Sequence, residues 1–128
     1  NAKAIGSLYK ELNIEPFAKN PASSAAVELL DENGGAVVVH YHGGPYFELN
    51  NPENAEILAR YNLDGFKPAV VLQPYGKGKV ILSGVHYEDS GEMLAKASSD
   101  LQQTSQILKH NESARQAFFN KLMKLSGR

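Results

Sequence analysis

Apolar residues are most densely clustered in two runs between positions 67 and 88. Residues 68–73 (PAVVLQ) are almost continuously apolar, which is typical of a strand covered on both faces. Residues 75–78 (YGKG) have the composition of a tight glycine turn, and residues 79–84 (KVILSG) follow as a return strand. The pattern therefore predicts a hairpin of two buried strands. Its second strand ends just before His86 and Glu88.

A second hairpin is predicted upstream of the first. Residues 32–35 (ENGG) are a strong turn signal, because asparagine and glycine tolerate positive φ. They separate residues 25–31 (AAVELLD) from residues 36–42 (AVVVHYH), which are rich in β-branched and aromatic side chains. Residues 42–47 (HGGPYF) contain two glycines and a proline, so we predict a loop whose backbone can pass close to another group.

Helix signals lie mostly at the end of the chain. Residues 91–109 are predicted to form a helix that Ser90 or Gly91 caps, and Asn111 is the predicted N-cap of a second helix. That second helix carries an apolar stripe and ends at a glycine suited to the position after a helix: Ala114, Phe118, Leu122, Leu125 and Gly127. Near the start, the spacing of four apolar residues predicts a short helix: Ile5, Leu8, Tyr9 and Leu12.

Strands come first and helices last in this order of elements. A further strand is predicted over residues 55–61, and Pro16 and Pro21 predict an irregular, extended connection near the start. At least five strands are predicted, without a βαβ unit in the pattern. On pattern alone the fold class is α+β or one part of a larger α/β fold. We treat residues 1–128 as a single domain or a partial domain.

Composition narrows the classes of function. The 128 residues are 42% hydrophobic and carry a net charge of −1, with no long run of either sign. This argues against nucleic-acid binding, which needs a basic surface, and no apolar window is long enough to predict a membrane span. Because the chain contains no cysteine, neither disulfides nor thiolate metal sites are expected, although this does not fix the compartment. No cofactor is predicted.

The candidate chemistry begins with His86 and Glu88. Residues two apart in an extended segment point to the same side, so the carboxylate and the imidazole can interact. A carboxylate beside an imidazole fixes its tautomer and stabilises its protonated form, as in a nucleophilic triad. The same spacing also fits two exposed side chains in a loop after a strand. No nucleophile is identifiable, because cysteine and a Gly-x-Ser-x-Gly elbow are both absent.

Two other groups of residues are candidate sites. His40 and His42 share one face at the end of a strand, and a third ligand for zinc or copper would be available only if His86 or Glu88 lay close. Ordinary strand-end histidines are the favoured interpretation, because no spaced acidic or cysteine ligands support a metal. No metal site is predicted. Gly43 and Gly44 lack the context of a phosphate-binding loop. Together with Tyr46 and Phe47, they are predicted to contact a small ligand.

Several of these motifs together resemble a known family. Residues 76–88 are similar to the last catalytic strand of class I glutamine-amidotransferase-like domains, which typically end in Gly-x-x-His-Pro-Glu. Residues 41–47, 58–61 and 68–71, in this order with the Gly-Lys-Gly-Lys strand, look more closely like the amidotransferase-like domain at the N-terminus of eukaryotic-type biotin–protein ligases. The resemblance extends over about residues 25 to 126.

The resemblance implies a flavodoxin-like α/β fold and a Cys-His-Glu triad, in which the histidine is His86 and the glutamate is Glu88. Tyr87 stands where proline is common, which could loosen the geometry between them. The family's nucleophile elbow lies upstream of everything present here. The resemblance therefore implies that this chain is the C-terminal half of such a domain and that its N-terminal half is a separate segment or chain.

Three functions remain open at this point. The first is half of an amidotransferase-like hydrolase that is inactive alone, since the nucleophile is missing. The second is a binding or regulatory module for a small amide or acid. The third is a degenerate domain kept for interaction. The resemblance does not imply biotin transfer, because the amidotransferase-like part is not the ligase active site.

Overall fold

The computed structural model describes residues 1–12 and 24–127. The connection predicted at Pro16 and Pro21 lies outside these residues. The described part is a mixed α/β structure, as predicted, with strands mostly preceding helices. Seven strands are present in these described residues: β1 (Ala2–Ile5), β2 (Ala25–Asp31), β3 (Ala36–Tyr41), β4 (Tyr46–Leu49), β5 (Glu56–Tyr61), β6 (Pro68–Tyr75) and β7 (Gly78–Ser83). The helices are α1 (Tyr9–Leu12), α2 (Gly91–Ala97), α3 (Gln102–His110) and α4 (Glu112–Leu125), with short 3-10 turns at Pro52–Asn54 and Ser99–Leu101.

Five strands form the main sheet in the order β3-β2-β5-β6-β7, and β1 pairs with β4 in a small second sheet. All pairings among these named strands are antiparallel. The parallel sheet that a flavodoxin-like fold would contribute is therefore not among the described pairings. The flavodoxin-like arrangement stays a prediction for the larger domain.

Both predicted hairpins are confirmed, and local chemistry explains them. The β2–β3 turn is closed by the Asp31 carboxylate, which accepts hydrogen bonds from the backbone of Asn33 at 2.9 Å and of Gly35 at 2.8 Å. The β6–β7 turn pairs Tyr75 with Gly78 and places Gly76 at φ +57°, a conformation that favours glycine. Turn residues are adjacent in sequence, so the sequence alone can specify them.

The two strands of the β6–β7 hairpin differ in burial. Residues 69–72 of β6 are buried on both faces, as predicted. The prediction that the second strand is also buried is wrong, because β7 is half-buried at best along its length. The reason is topological: among the described strands, β7 is the last of the sheet and has one neighbour, β6.

The N-terminal prediction needs correction. The predicted helix from Ile5 to Leu12 is limited to α1, and Ile5 itself lies in β1, opposite Tyr46 of β4. The predicted loop 42–47 is correspondingly shorter, since Tyr46 and Phe47 belong to β4. Four apolar residues at short spacing fit a helix or a strand, and the strand partner lies over 40 residues away.

The C-terminal helices also depart from prediction in detail. The single helix predicted over 91–109 is two helices, because the Ser98 hydroxyl accepts a hydrogen bond from the Asp100 backbone and starts a 3-10 turn. Ser90 caps α2 as predicted, by accepting from Met93 N–H at 3.1 Å. Asn111 occupies the predicted N-cap position of α4, but its amide donates to the Ile107 carbonyl at 2.8 Å and so closes α3 instead.

The sheet is curled. Although β3 and β7 lie at opposite ends of the strand order, the His86 N–H, just beyond β7, donates to the His40 carbonyl of β3 at 2.8 Å. We call this isolated bridge between His40 and His86 the sheet closure. The main core packs the sheet against α4 through Phe118 and Leu122, and a smaller cluster packs α2 and α3 against β2 and β3.

No helix in the described ranges combines the length and the apolar character needed to cross a membrane.

Candidate functional site

His86 and Glu88 lie immediately after β7, at the sheet closure. The His86 Nδ1 atom is 3.1 Å from Glu88 Oε1, and the two side chains are 49% and 48% exposed. We call this pair the dyad. If His86 Nδ1 carries the proton, as this hydrogen bond assigns, Nε2 is left with a lone pair able to take a proton from a reacting group. The structure thus brings together the two residues predicted to be catalytic; their catalytic role remains a prediction.

His40 lies beneath the dyad and is buried. Its ring centre is 5.4 Å from that of His86, with 32° between the ring planes. Its Nδ1 lies 2.8 Å from Asp89 Oδ2. Burial lowers the pKa of His40 below its usual value, although the hydrogen bond that His40 donates to the Asp89 carboxylate opposes this. His40 is therefore uncharged at neutral pH, and its buried ring lies next to the exposed ring of His86. The sequence did not single out Asp89, which lies 49 residues from His40.

The two strand-end histidines do not share one set of partners. The His40 and His42 ring centres are 6.2 Å apart, and His42 Nδ1 lies 2.7 Å from the Ser24 hydroxyl. Among the described residues, the group with donor atoms close enough to hold a metal ion is His86, Glu88 and Asp89, whose ligand atoms lie within 4.8 Å of one another. A metal there would engage the dyad itself.

The glycine loop, residues 42–45, lies against the chain that leads from β7 to His86. A Cβ added to Gly44 would overlap the Gly84 carbonyl oxygen, and one added to Gly84 would overlap the Pro45 carbonyl oxygen. Gly43 has φ +76° and lies against the Tyr9 hydroxyl. The sequence predicted a close backbone approach in this loop, and the structure identifies the partner as Gly84.

Two buried tyrosines hold the glycine loop from below. The Tyr41 hydroxyl accepts a hydrogen bond from Leu8 N–H at 2.7 Å and donates to the Gly44 carbonyl at 2.7 Å. The Tyr61 hydroxyl donates to the Pro45 carbonyl at 2.8 Å. Burial raises the pKa of both phenols, so both remain donors at neutral pH.

The other predicted ligand contacts have different surroundings. The Tyr46 ring is half-buried and lies 4.5 Å below the Lys67 ammonium group. Phe47 is 6% exposed. Contact of a ligand with Gly43, Gly44, Tyr46 and Phe47 stays a prediction. Because Phe47 is buried, a ligand could reach its side chain only by entering the protein interior.

A buried arginine on α4 holds the peptide between the dyad residues. Arg115 is 3% exposed, and its Nη1 donates to the Tyr87 carbonyl at 2.9 Å. Its Nε and Nη2 donate to the two carboxylate oxygens of Glu112 at 2.7 and 2.5 Å. These hydrogen bonds lower the pKa of Glu112, which keeps the pair charged. The sequence prediction placed Ala114 on the buried stripe and missed Arg115; the Glu-x-x-Arg spacing was the signal available for the pair.

A cleft of about 690 Å³ adjoins the dyad at Glu88. Apart from Glu88 and Ser90, its lining comes from α2, the end of α3 and the start of α4: Gly91, Glu92, Met93, Lys109, Glu112, Arg115 and Gln116. Because Arg115 is neutralised by Glu112, the remaining charges are those of Glu88, Glu92 and Lys109. The cleft is therefore a polar space that opens beside the dyad carboxylate.

Comparison with known proteins gives the family. Residues 9–127 match the family model described as biotin-protein ligase, N terminal. A 61-residue segment is 38% identical to biotin–protein ligase of Schizosaccharomyces pombe and covers 42% of this chain and 10% of that protein. The match thus spans about a tenth of the length of that curated relative. No solved structure is significantly similar. The family part of the resemblance is confirmed: the chain belongs to the biotin–protein ligase N-terminal family.

Proposed function

We propose that this chain supplies the histidine and the carboxylate of a cysteine-dependent, glutamine-amidotransferase-like site that hydrolyses a small amide. The observation that carries the proposal is the His86–Glu88 hydrogen bond of 3.1 Å between two half-exposed side chains. A base that must meet both a nucleophile and a substrate needs such exposure together with an orienting partner. No cofactor enters this chemistry.

The reaction would proceed through a thioester. His86 Nε2 takes the thiol proton as sulfur attacks the amide carbonyl, and the protonated His86 returns that proton to the nitrogen as the C–N bond breaks. Ammonia leaves, water then attacks the thioester with His86 as base, and the acid and the free thiol are released. Throughout, Glu88 holds Nδ1–H and stabilises the imidazolium. Since the chain has no cysteine, it is expected to be inactive by itself.

The proposal requires a partner that carries the cysteine. We propose the N-terminal half of the same domain, as a separate segment or chain. The outer strand β7 has β6 as its neighbour in the described sheet, so its other edge can offer backbone N–H and C=O groups to a further strand. Because β7 runs toward His86, a strand added along this edge would approach the dyad up to the point where His86 N–H bonds to the His40 carbonyl of β3.

The test uses the intact protein that contains both halves. Alkylation of its cysteine by iodoacetamide and its glutaminase turnover would be measured for His86→Ala, Glu88→Gln and the exposed control His110→Ala. Removing a general base is worth about 10²- to 10⁴-fold in rate. We therefore expect a fall of that order for His86→Ala, a smaller fall for Glu88→Gln and no change for His110→Ala. Unchanged alkylation in His86→Ala, or an intact protein without cysteine, would refute the proposal.

A second candidate is a binding module without turnover. The observation that favours it is the cleft beside Glu88, which is large enough for a small amide or acid although the nucleophile is absent from the chain. Glutamine, asparagine and glutamate would be added in thermal unfolding measurements alongside the turnover assay. A ligand-dependent rise in Tm without turnover supports binding, and turnover excludes a purely binding role.

A further inference from the structure

We propose that Arg115 is the positioning residue of the dyad and that it acts through the Tyr87 carbonyl. Tyr87 lies between His86 and Glu88, so the orientation of its peptide groups sets the direction of both neighbouring side chains. Its carbonyl is the atom that Arg115 Nη1 binds at 2.9 Å. The inference rests on the proposed function only in experiments that measure activity. The geometry of the dyad can be measured separately, from the His86 ring.

Several buried polar side chains bind the segment that contains Tyr87. Apart from the two tyrosines below the glycine loop, three residues with polar or charged side chains are buried in the described ranges, namely His40, Ser105 and Arg115. All three bind the chain between positions 87 and 91: His40 bonds to the Asp89 carboxylate, Ser105 donates to the Gly91 carbonyl, and Arg115 donates to the Tyr87 carbonyl. Burying polar groups is unfavourable unless they are hydrogen-bonded, so their concentration on one short segment indicates that its placement matters.

The arginine is itself held in a fixed orientation. Glu112, one turn earlier on α4, accepts from Nε and Nη2, and this leaves Nη1 directed at Tyr87. A guanidinium group is planar and presents its donors in a rigid fork, so two bonds to one carboxylate determine where the third donor lies. A lysine offers one flexible ammonium group and could not meet both partners in this way.

The same helix also holds the Tyr87 side chain. The Tyr87 ring packs edge-to-face on Phe118, with ring centres 6.1 Å apart, and lies 6.2 Å from the Phe119 ring. Helix α4 therefore restrains this residue by its carbonyl and by its ring. A proline at this position would limit its own backbone through its ring. With tyrosine here, that restraint comes from Arg115 and the two phenylalanines.

A change in the Tyr87 peptide would reach the dyad directly. The Nδ1–Oε1 distance of 3.1 Å lies near the long end for such a bond, so a rotation that separates the atoms by a few tenths of an ångström weakens it. The His86 ring would then lose the partner that fixes its tautomer. A purely structural arginine would affect stability without altering this ring.

The direct test is ¹⁵N NMR of the histidine rings at pH 8 in the 128-residue chain, because ring nitrogen shifts separate the Nδ1–H and Nε2–H tautomers. We would compare the wild type with Arg115→Met, Arg115→Lys, Glu112→Gln and Leu122→Ala. The last is the matched control, since Leu122 is fully buried on α4 two turns from Arg115 and its loss also destabilises the helix packing.

We expect a predominantly Nδ1–H ring for His86 in the wild type and in Leu122→Ala. We expect loss of that preference in Arg115→Met, and a partial loss in Arg115→Lys and Glu112→Gln. If Arg115→Met does not fold, the Glu112→Gln and Arg115→Lys spectra decide the question. Wild-type His86 shifts in these variants, or an equal change in Leu122→Ala, would overturn the proposal.

A second measurement separates this inference from the proposed function. In the intact protein, misplacement of a catalytic group by about 1 Å can lower the rate about 100-fold, so Arg115→Met should lower kcat to that extent with little change in KM. If His86→Ala has no effect on alkylation while Arg115→Met changes the His86 ring, the proposed function fails and the positioning role stands. If His86→Ala abolishes activity while Arg115→Met leaves both ring and rate unchanged, the positioning role fails alone.

Discussion

Replacing Tyr41 by phenylalanine tests how the glycine loop is held beside the dyad. Tyr41 is completely buried, and its hydroxyl makes two hydrogen bonds, one from Leu8 N–H and one to the Gly44 carbonyl. The phenylalanine ring fills the same space, so the change removes those two bonds and little packing. Tyr61→Phe is the matched control, because the Tyr61 hydroxyl makes one such bond, to the neighbouring Pro45 carbonyl.

The size of the effect follows from the number of groups left unpaired. A buried donor or acceptor without a partner costs about 1–3 kcal/mol; with the lower part of that range, about 1–2 kcal/mol for each of two groups, Tyr41→Phe should lower the free energy of unfolding by roughly 2–4 kcal/mol. Tyr61→Phe should lower it by about 1–2 kcal/mol. For a chain of 128 residues, each 1 kcal/mol corresponds to about 4 °C in Tm, which gives about 8–16 °C against about 4–8 °C.

Urea unfolding followed by circular dichroism gives both free energies, and equal m values would show that the two variants expose the same surface on unfolding. Thermal unfolding gives the two Tm values independently. A Tyr41→Phe variant that loses no more stability than Tyr61→Phe would refute the reasoning, because the second hydrogen bond would then contribute nothing.

Three further changes address the sheet closure, the glycine contact and the first hairpin. Burial lowers the pKa of His40, so between that value and about 6.5 the unfolded chain binds a proton that the folded chain does not. The free energy of unfolding, measured with urea, should therefore fall as the pH drops through 6.5. His40→Phe should reduce this dependence on pH, and the same dependence in the variant would contradict the role of His40. Gly84→Ala should cost about 1–3 kcal/mol through overlap with the Pro45 carbonyl, whereas Gly78→Ala, where the nearest atom is 3.8 Å away, should change the urea midpoint little. Asp31→Ala removes two turn hydrogen bonds and should lower the free energy of unfolding by about 1 kcal/mol in the same assay. A variant as stable as the wild type would show that residues 32–35 form the turn without the Asp31 carboxylate.

The sequence predicted best what depends on neighbouring residues. The two hairpins and the capping role of Ser90 follow from side chains within four positions of each other. The small sheet could not be predicted, because β1 finds its partner β4 more than 40 residues later. The exposure of β7 was missed for a similar reason: its apolar sequence resembles that of β6, and strand order alone makes it an outer strand.

In the candidate site, too, contacts between sequence neighbours were predictable and contacts between distant residues were not. The contact between His86 and Glu88 follows from their spacing, and the structure brings these side chains together. Their supports come from far along the chain, since Asp89 meets His40 across 49 residues and Tyr87 meets Arg115 across 28. Charged side chains are rarely buried unless they are paired, so the sequence alone favours an exposed position for Arg115. Its burial becomes understandable once its hydrogen bonds to Glu112 and Tyr87 are known.

The sheet closure would give the proposed ligand a direct effect on the stability of the whole sheet. A molecule that contacts both His86, beyond the last strand, and the glycine loop, beyond β3, would hold the two ends of the strand order together. Opening the closure would then require its release. At a ligand concentration 100 times Kd, binding to the folded state alone adds about 2.7 kcal/mol to stability. The amide protons that exchange slowly when the sheet is closed would report such a ligand even without turnover.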